Sequence, residues 1–548
     1  MASSSYDYIV VGGGLAGCVV AAKLHEKLPS TSILVIEVGE DQSHHPIATK
    51  GLMAARLQYS ELDWDLRTVP QRYLNNTPRY QGAGKALGGS TAINYATWTR
   101  GPKVDYDRWA TIVGDDRWSY DKLLPYFPKT QTRAGTDDAS QPRPPGLIYT
   151  ASPSESHPDR KYPLREPIRV AWESIGMKLI ADPNTGYPLG LSERVENWDQ
   201  GKRQFAHRVY DTEGVEILTK TRVARILVSD DKVAHGVELT DGRTIAASKE
   251  VILSAGSYHS PKILLLSGIG PVAELEKHGI TQLVDSPEVG RNFLDHLAVP
   301  LIWKLKKREY DLPFSALANP VMSLGMPSDW AVFDGLNPET IRQAIAKDGN
   351  LSNFTSESLL NPANCFIETL NFYVPAGAEV AGMAVPMDGT YVSSPVLAMH
   401  PTSRGMITLA SKDPLAPPAI DPNYYATEVD RAAVRAGIRT ALRVYQDTNA
   451  LRDIIEAEVP PEGYPPLRAD STDDEIDARV RRMGITFFHP SGSCAMGKVV
   501  DTELRAYGVK GLRVVDASVL PTPLAAHLQG CVYALAERAV DFIVGENL

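Results

Sequence analysis

Cysteine is scarce in this chain: four in 548 residues, Cys18, Cys365, Cys494 and Cys531, all far apart. No Cys-x-x-Cys pair occurs, so neither a zinc cage nor a thioredoxin-like couple is indicated, and no metal site is expected. Long apolar runs are also lacking. None reaches the roughly 20 residues that cross a bilayer, so no membrane partner is expected. Positive charge is in deficit, 56 basic against 66 acidic residues for a net charge of −10, with no basic stripe. Nucleic acid is therefore not an expected partner. Met1-Ala2-Ser3-Ser4-Ser5 runs straight into a strand pattern. No signal peptide can be read there, and the expectation is a cytoplasmic protein, or a secreted one if a leader has been removed.

What is present begins at once. Tyr6–Val11 is a short apolar run rich in β-branched and aromatic residues and reads as a buried strand. Gly12-Gly13-Gly14-Leu15-Ala16-Gly17 follows, then a helical pattern to about Lys27, a second strand over Ser32–Ile36, and Glu37. This order, strand, G-x-G-x-x-G, helix, strand, acid, describes a dinucleotide cradle. Gly12, Gly14 and Gly17 allow close backbone approach to a pyrophosphate, which the helix N-terminus attracts. Glu37 is placed to accept from an adenosine ribose hydroxyl. The pattern does not choose between NAD and FAD.

A second dense segment runs from Gly84 to Gly101. Gly88 and Gly89 permit close approach to a flat or charged ligand, and Ser90, Thr91 and Asn94 add hydrogen-bonding groups. Val215–Val228 is a β-rich run, and Val251–Ala255 a further apolar strand that leads into a helix from Gly256. Strands are expected at Leu301–Lys306, Glu368–Tyr373, Ser393–His400 and Gly405–Ala410, and an amphipathic helix over 427–446. Thr472-Asp473-Asp474-Glu475 is a capping box that opens another helix. Near the end stand Phe488-His489-Pro490-Ser491-Gly492 and Ala526-His527-Leu528-Gln529-Gly530, the latter leading into a long helical pattern.

Residues 84–107 and 256–270 resemble the two signature segments of the glucose-methanol-choline (GMC) oxidoreductases. Gly290–His296 and Leu512–Pro521 also resemble family segments, in the family's order. The resemblance implies FAD rather than NAD. It implies an α/β FAD-binding, Rossmann-like domain with an interleaved α+β substrate domain on an antiparallel sheet. The expected division gives 1–160, 191–300 and 485–548 to the FAD domain, and 161–190 and 301–484 to the substrate domain.

His489 occupies the position of the family's active-site histidine, and His527 its partner position, where the His-x-Gln-Gly form is similar to aryl-alcohol oxidases. Oxidising an alcohol needs an electron sink, which flavin N5 supplies, and a base for the hydroxyl proton. Histidine suits the base because its ordinary pKa lies near operating pH. His489 is thus the expected base, and His527 the partner that holds the substrate hydroxyl at or near a helix N-terminus. The resemblance further places Asn94 and neighbouring backbone, Ala96 included, against the isoalloxazine, with Gly88 and Gly89 also expected to bind the cofactor. It places Val223 and Trp64 at the adenine half, and Asp516 with Ala517 by the pyrophosphate or ribityl chain. Relatives that bind FAD covalently do so through a histidine just before the equivalent of Asn94; Ile93 stands here, so non-covalent FAD is expected. Tyr95, Trp98, Phe487 and Phe488 are candidate pocket walls, with core packing expected for at least two.

The reaction expected is oxidation of a primary alcohol, aromatic ones included, to the aldehyde, with oxygen or a quinone as acceptor. The competing reading is a non-redox, FAD-containing lyase of the hydroxynitrile lyase type. A flavin-binding protein without catalysis is disfavoured by the intact histidine pair.

Overall fold

The computed structural model describes residues 5–135, 147–312, 319–349 and 351–546. Residues 1–4, 136–146, 313–318, 350 and 547–548 lie outside the described residues. No helix among the described residues is long and apolar enough to cross a membrane.

Two seven-stranded sheets organise the chain. The first is built on Ser5–Val11, whose residues Tyr8 to Val11 are all buried. A strand apolar on both faces needs cover on both sides, as parallel sheets have. Ser5–Val11 pairs in parallel with Ile33–Ile36 on one side and Thr244–Leu253 on the other. Leu512–Val514 adds a further parallel partner to Thr244–Leu253. Two antiparallel strands, Ala234–Leu239 and Val223–Val228, complete that edge. The helix Leu15–Lys27 covers this sheet and packs against the C-terminal helix Gln529–Gly545.

The β-rich run 215–228 is not one strand. Glu216–Leu218 pairs beside Ile33–Ile36 at one edge, and Val223–Val228 lies at the opposite edge. The chain turns between them at Lys220, whose φ is +52°. Propensity reads β throughout, but a break of four residues carries no periodicity of its own.

The second sheet is antiparallel throughout. Its order is Ile455–Glu458, Leu297–Leu305, Tyr391–Ala398, Ile367–Phe372, Ser328–Asp334 and Gly190–Glu193, with Ile485–Thr486 also beside Leu297–Leu305. Gly190–Glu193 and Ile485–Thr486 thus join this sheet although most of each falls in segments expected to belong to the FAD domain. Such short strands show no alternation to read. The helix Glu428–Leu442 buries Val429, Ala433, Val434, Ile438, Ala441 and Leu442 against the sheet. The capping box at Thr472 forms as expected and opens Asp473–Met483.

Candidate active site

One cleft of about 340 Å³ lies between the two sheets. The glycine loop forms part of its floor. Gly12 has φ +100°, and a Cβ there would lie 2.5 Å from the Ser254 carbonyl oxygen. Gly17 does not line the cleft; its Cα faces the Gly12 carbonyl, where a Cβ would stand at 2.0 Å. Gly14 does line it, and a Cβ on it would meet nothing nearer than 3.9 Å. Opposite stands the second glycine segment: Gly89 lines the cleft and would place a Cβ 2.7 Å from the Gly14 Cα. Gly88 sits behind, at φ +90°.

Glu37 is buried, and its carboxylate accepts from the Gly13 N–H (2.9 Å) and the Gly39 N–H (2.8 Å). Burial pushes it up to about 7 despite those donors. Trp64 and Val223 line the same cleft, where Trp64 packs against the His259 ring at 4.3 Å and under the Arg222 guanidinium at 5.0 Å. Asp516 and Ala517 line it as well. The Asp516 carboxylate accepts from the Gly256 N–H (2.9 Å), the Ser260 hydroxyl (2.6 Å) and the Ser518 N–H (2.8 Å), tying the start of helix Gly256–Leu266 to the C-terminal segment.

That helix also braces the His489 segment. Pro261 inside it has no N–H to give the Ser257 carbonyl, four residues earlier. The Ser493 hydroxyl donates to that carbonyl instead (2.6 Å), while the Ser257 hydroxyl donates to the Pro490 carbonyl (2.8 Å).

Asn94 and Ala96 line the cleft, Ala96 at φ +62°. The Asn94 side-chain oxygen accepts from Arg203 (2.9 Å), whose burial lowers it to about 9, and its amide donates to Gln529 Oε1 (3.3 Å). Gln529 in turn donates to the Thr97 carbonyl (2.6 Å). Of the four aromatics, Tyr95, Phe487 and Phe488 line the cleft, while Trp98 is core, stacked on Tyr533.

His489 and His527 meet in this cleft, ring centroids 4.8 Å apart and nearly perpendicular. Phe487 presents itself edge-on to both, at 5.6 and 5.7 Å. Phe488, at φ +64°, turns the chain into His489. The His489 main-chain N–H donates to Asp295 (2.8 Å), which also accepts from the Thr486 and Tyr424 hydroxyls. Burial first, then the neighbouring His527 and His296, push His489 well below its ordinary pKa. His527 donates its main-chain N–H to Thr99 (2.7 Å), and its Nε2 lies 3.1 Å from Glu368 Oε1. His527 precedes the helix Gln529–Gly545, near its positive end.

Sequence reasoning did not single out Glu368, Asp295, His296, Arg203 or Gln529 for a role. Asp295 and His296 lie within Gly290–His296, a segment that resembles the family's; Glu368 gives no signal beyond an acid in a predicted strand.

A glycine-lined cradle that opens onto buried histidines is the make-up of a nucleotide-dependent enzyme. The chain belongs to the GMC oxidoreductase family, whose N-terminal profile matches residues 6–298 and whose C-terminal profile matches residues 401–536. It is 40% identical to the GMC-type oxidoreductase acuG of Aspergillus aculeatus, over 99% of this chain and all of that one. It is 33% identical to pyranose dehydrogenase 3 of Leucoagaricus meleagris, over 97% and 92% of the two chains. Among solved structures, a formate oxidase of Aspergillus oryzae superimposes with a TM-score of 0.86 at 30% identity, covering 99% of both chains. A fungal aryl-alcohol oxidase does so at 0.81 and 25%, also over 99% of both. The protein is an FAD-dependent oxidoreductase of the GMC fold. The cleft fits that cofactor: its floor is glycine backbone, at Gly14 a Cβ would enter open cleft space, and a buried acid stands beside it.

Proposed function

We propose that this protein oxidises a primary alcohol to the aldehyde, aromatic alcohols among its substrates, with His489 as the base. The observation that carries the proposal is the buried His489–His527 pair at an aromatic wall. Burial disfavours the imidazolium, so His489 rests neutral and ready to take the hydroxyl proton. His527, held by Thr99 and Glu368, positions the same hydroxyl. Phe487 borders both rings, and Phe488 packs against Tyr80 and Tyr95. That wall favours a flat apolar substrate over a polyhydroxylated sugar.

FAD, when bound, supplies the electron acceptor for the hydride that leaves the alcohol carbon. Gly12, Gly14, Glu37, Gly89, Asn94, Val223 and Asp516 are the residues proposed to hold it. Ile93 offers no nucleophile, so the attachment is non-covalent. In this reading the first sheet's unit carries the cofactor and the second covers the substrate. Oxygen or a quinone would serve as the final electron acceptor.

The test is anaerobic mixing of the holoenzyme with a panel of alcohols while flavin absorbance is followed. Bleaching by an aromatic primary alcohol is expected; no bleaching by any alcohol rejects the proposal. His489→Ala should retain FAD and lose roughly 10²–10⁴ in the reduction rate.

A further inference from the structure

Behind the cleft two imidazoles meet nitrogen to nitrogen. His296 Nδ1 and His489 Nδ1 are 2.8 Å apart, with the rings perpendicular. His296 is 1% exposed and does not line the cleft, so it touches neither substrate nor cofactor. Two ring nitrogens at that distance need one proton between them, since two lone pairs repel and two hydrogens clash.

Which ring owns the proton decides what His489 can do. If His489 carries it on Nδ1, its Nε2 keeps a lone pair and can accept from a substrate hydroxyl. If His296 carries it, the neutral His489 has its hydrogen on Nε2 and can only donate there. The base role chooses. A His489 that takes the hydroxyl proton on Nε2 must carry its own hydrogen on Nδ1. His296 Nδ1, 2.8 Å away, is then the acceptor, and the neutral His296 keeps its hydrogen on Nε2.

We propose that His296 is a positioning residue: its Nδ1 accepts the His489 Nδ1–H and so holds His489 in the tautomer whose Nε2 is free to take the substrate proton. This rests on His489 being the base. Asp295 and His296 then hold His489 twice, Asp295 through the main-chain N–H and His296 through the ring. Burial keeps both rings neutral, driving His296 down to about 3, so the single proton between them is not joined by a second. A histidine oriented through its second nitrogen is the arrangement that metal sites use to fix a tautomer, here serving a base.

The test compares FAD-loaded His296→Leu, His296→Asn and His489→Ala with the wild type. It uses the fastest alcohol of the panel, with nitrogen NMR of histidine-labelled holoenzyme. His296→Leu removes the acceptor and should slow flavin reduction roughly 10- to 100-fold. The alcohol Kd should change by less than about threefold, because no substrate contact is lost. His296→Asn places an amide oxygen near the old Nδ1 and should restore most of the rate. In the wild type the His489 signals should show hydrogen on Nδ1 and a lone pair on Nε2. Hydrogen on Nε2 overturns the proposal, as does a His296→Leu variant as fast as the wild type while His489→Ala is slow. Full activity in His489→Ala rejects the base assignment instead. Should His296→Leu fail to load FAD, the wild-type spectrum decides.

Discussion

Two glycines of one loop should fail in different ways when each receives a methyl group. A Cβ on Gly17 would stand 2.0 Å from the Gly12 carbonyl oxygen and 3.3 Å from the Val10 side chain. That is far inside contact distance, and neither the strand nor the helix Leu15–Lys27 can yield cheaply. Overpacking of this kind costs about 1–3 kcal/mol. Gly14 is the opposite case. Its φ of −76° suits any residue, and its Cβ would meet no protein atom closer than 3.9 Å. The methyl would occupy cleft space where the pyrophosphate of FAD is proposed to approach the helix N-terminus. Losing one hydrogen bond to a charged group costs about 1.5–3 kcal/mol, or roughly a 10- to 100-fold rise in the FAD Kd. Gly17→Ala should therefore lower the melting temperature of the FAD-free protein, and Gly14→Ala should leave it unchanged while weakening FAD. Flavin fluorescence titration and thermal melts of the same preparations read both quantities. If Gly14→Ala binds FAD within about twofold of wild type, the pyrophosphate does not lie at this glycine and the placement is wrong.

Glu37 gives a pH prediction for the FAD-free protein. Folding raises it from 4.5 to about 7, chiefly by burial, so the folded state resists its ionisation. Wild-type stability is thus lost as pH rises from about 4.5 to about 7, on the order of 3 kcal/mol. Glu37→Gln has no charge to gain, so its stability relative to wild type should climb across that window and level off above it; a difference that stays constant from about pH 5 to 8 refutes this. Glu196 lies buried between Arg160 and Arg194, and Arg194 donates to Thr97 Oγ1 (3.0 Å) and the Tyr95 carbonyl (2.8 Å). Glu196→Ala strands two buried guanidinium groups and should cost about 3–5 kcal/mol in urea unfolding, with weaker FAD retention as the 95–97 loop loosens; a cost under about 1 kcal/mol shows that the arginines find other partners.

The sequence made the nucleotide half legible because its signals are local. A strand, a glycine turn and a helix within the first 27 residues each carry a period or a steric demand, and Gly12 and Gly17 are glycine for reasons that a single Cβ shows. The same logic finds the capping box at Thr472 and the apolar face of Glu428–Leu442. It stops where a residue's meaning depends on a distant partner. The run 215–228 looks continuous, yet its halves sit at opposite edges of a sheet, because edge position is set by pairing and not by propensity.

The histidine pair is the sharpest instance. His489 and His527 could be read from their motifs, but what each ring can do is fixed by its second nitrogen. Those partners come from the other sheet: His296, 193 residues away, precedes the strand Leu297–Leu305, and Glu368, 159 residues away, lies in Ile367–Phe372. No spacing rule links them, since strand order is a property of the folded sheet. A base is chosen by local sequence, but its tautomer is chosen by topology. If His489 is the base, the two sheets must therefore dock in register before it is competent. A substitution that shifts Leu297–Leu305 against Tyr391–Ala398, its neighbour in the sheet, would move His296 relative to His489 and disturb the proposed base without touching the cleft.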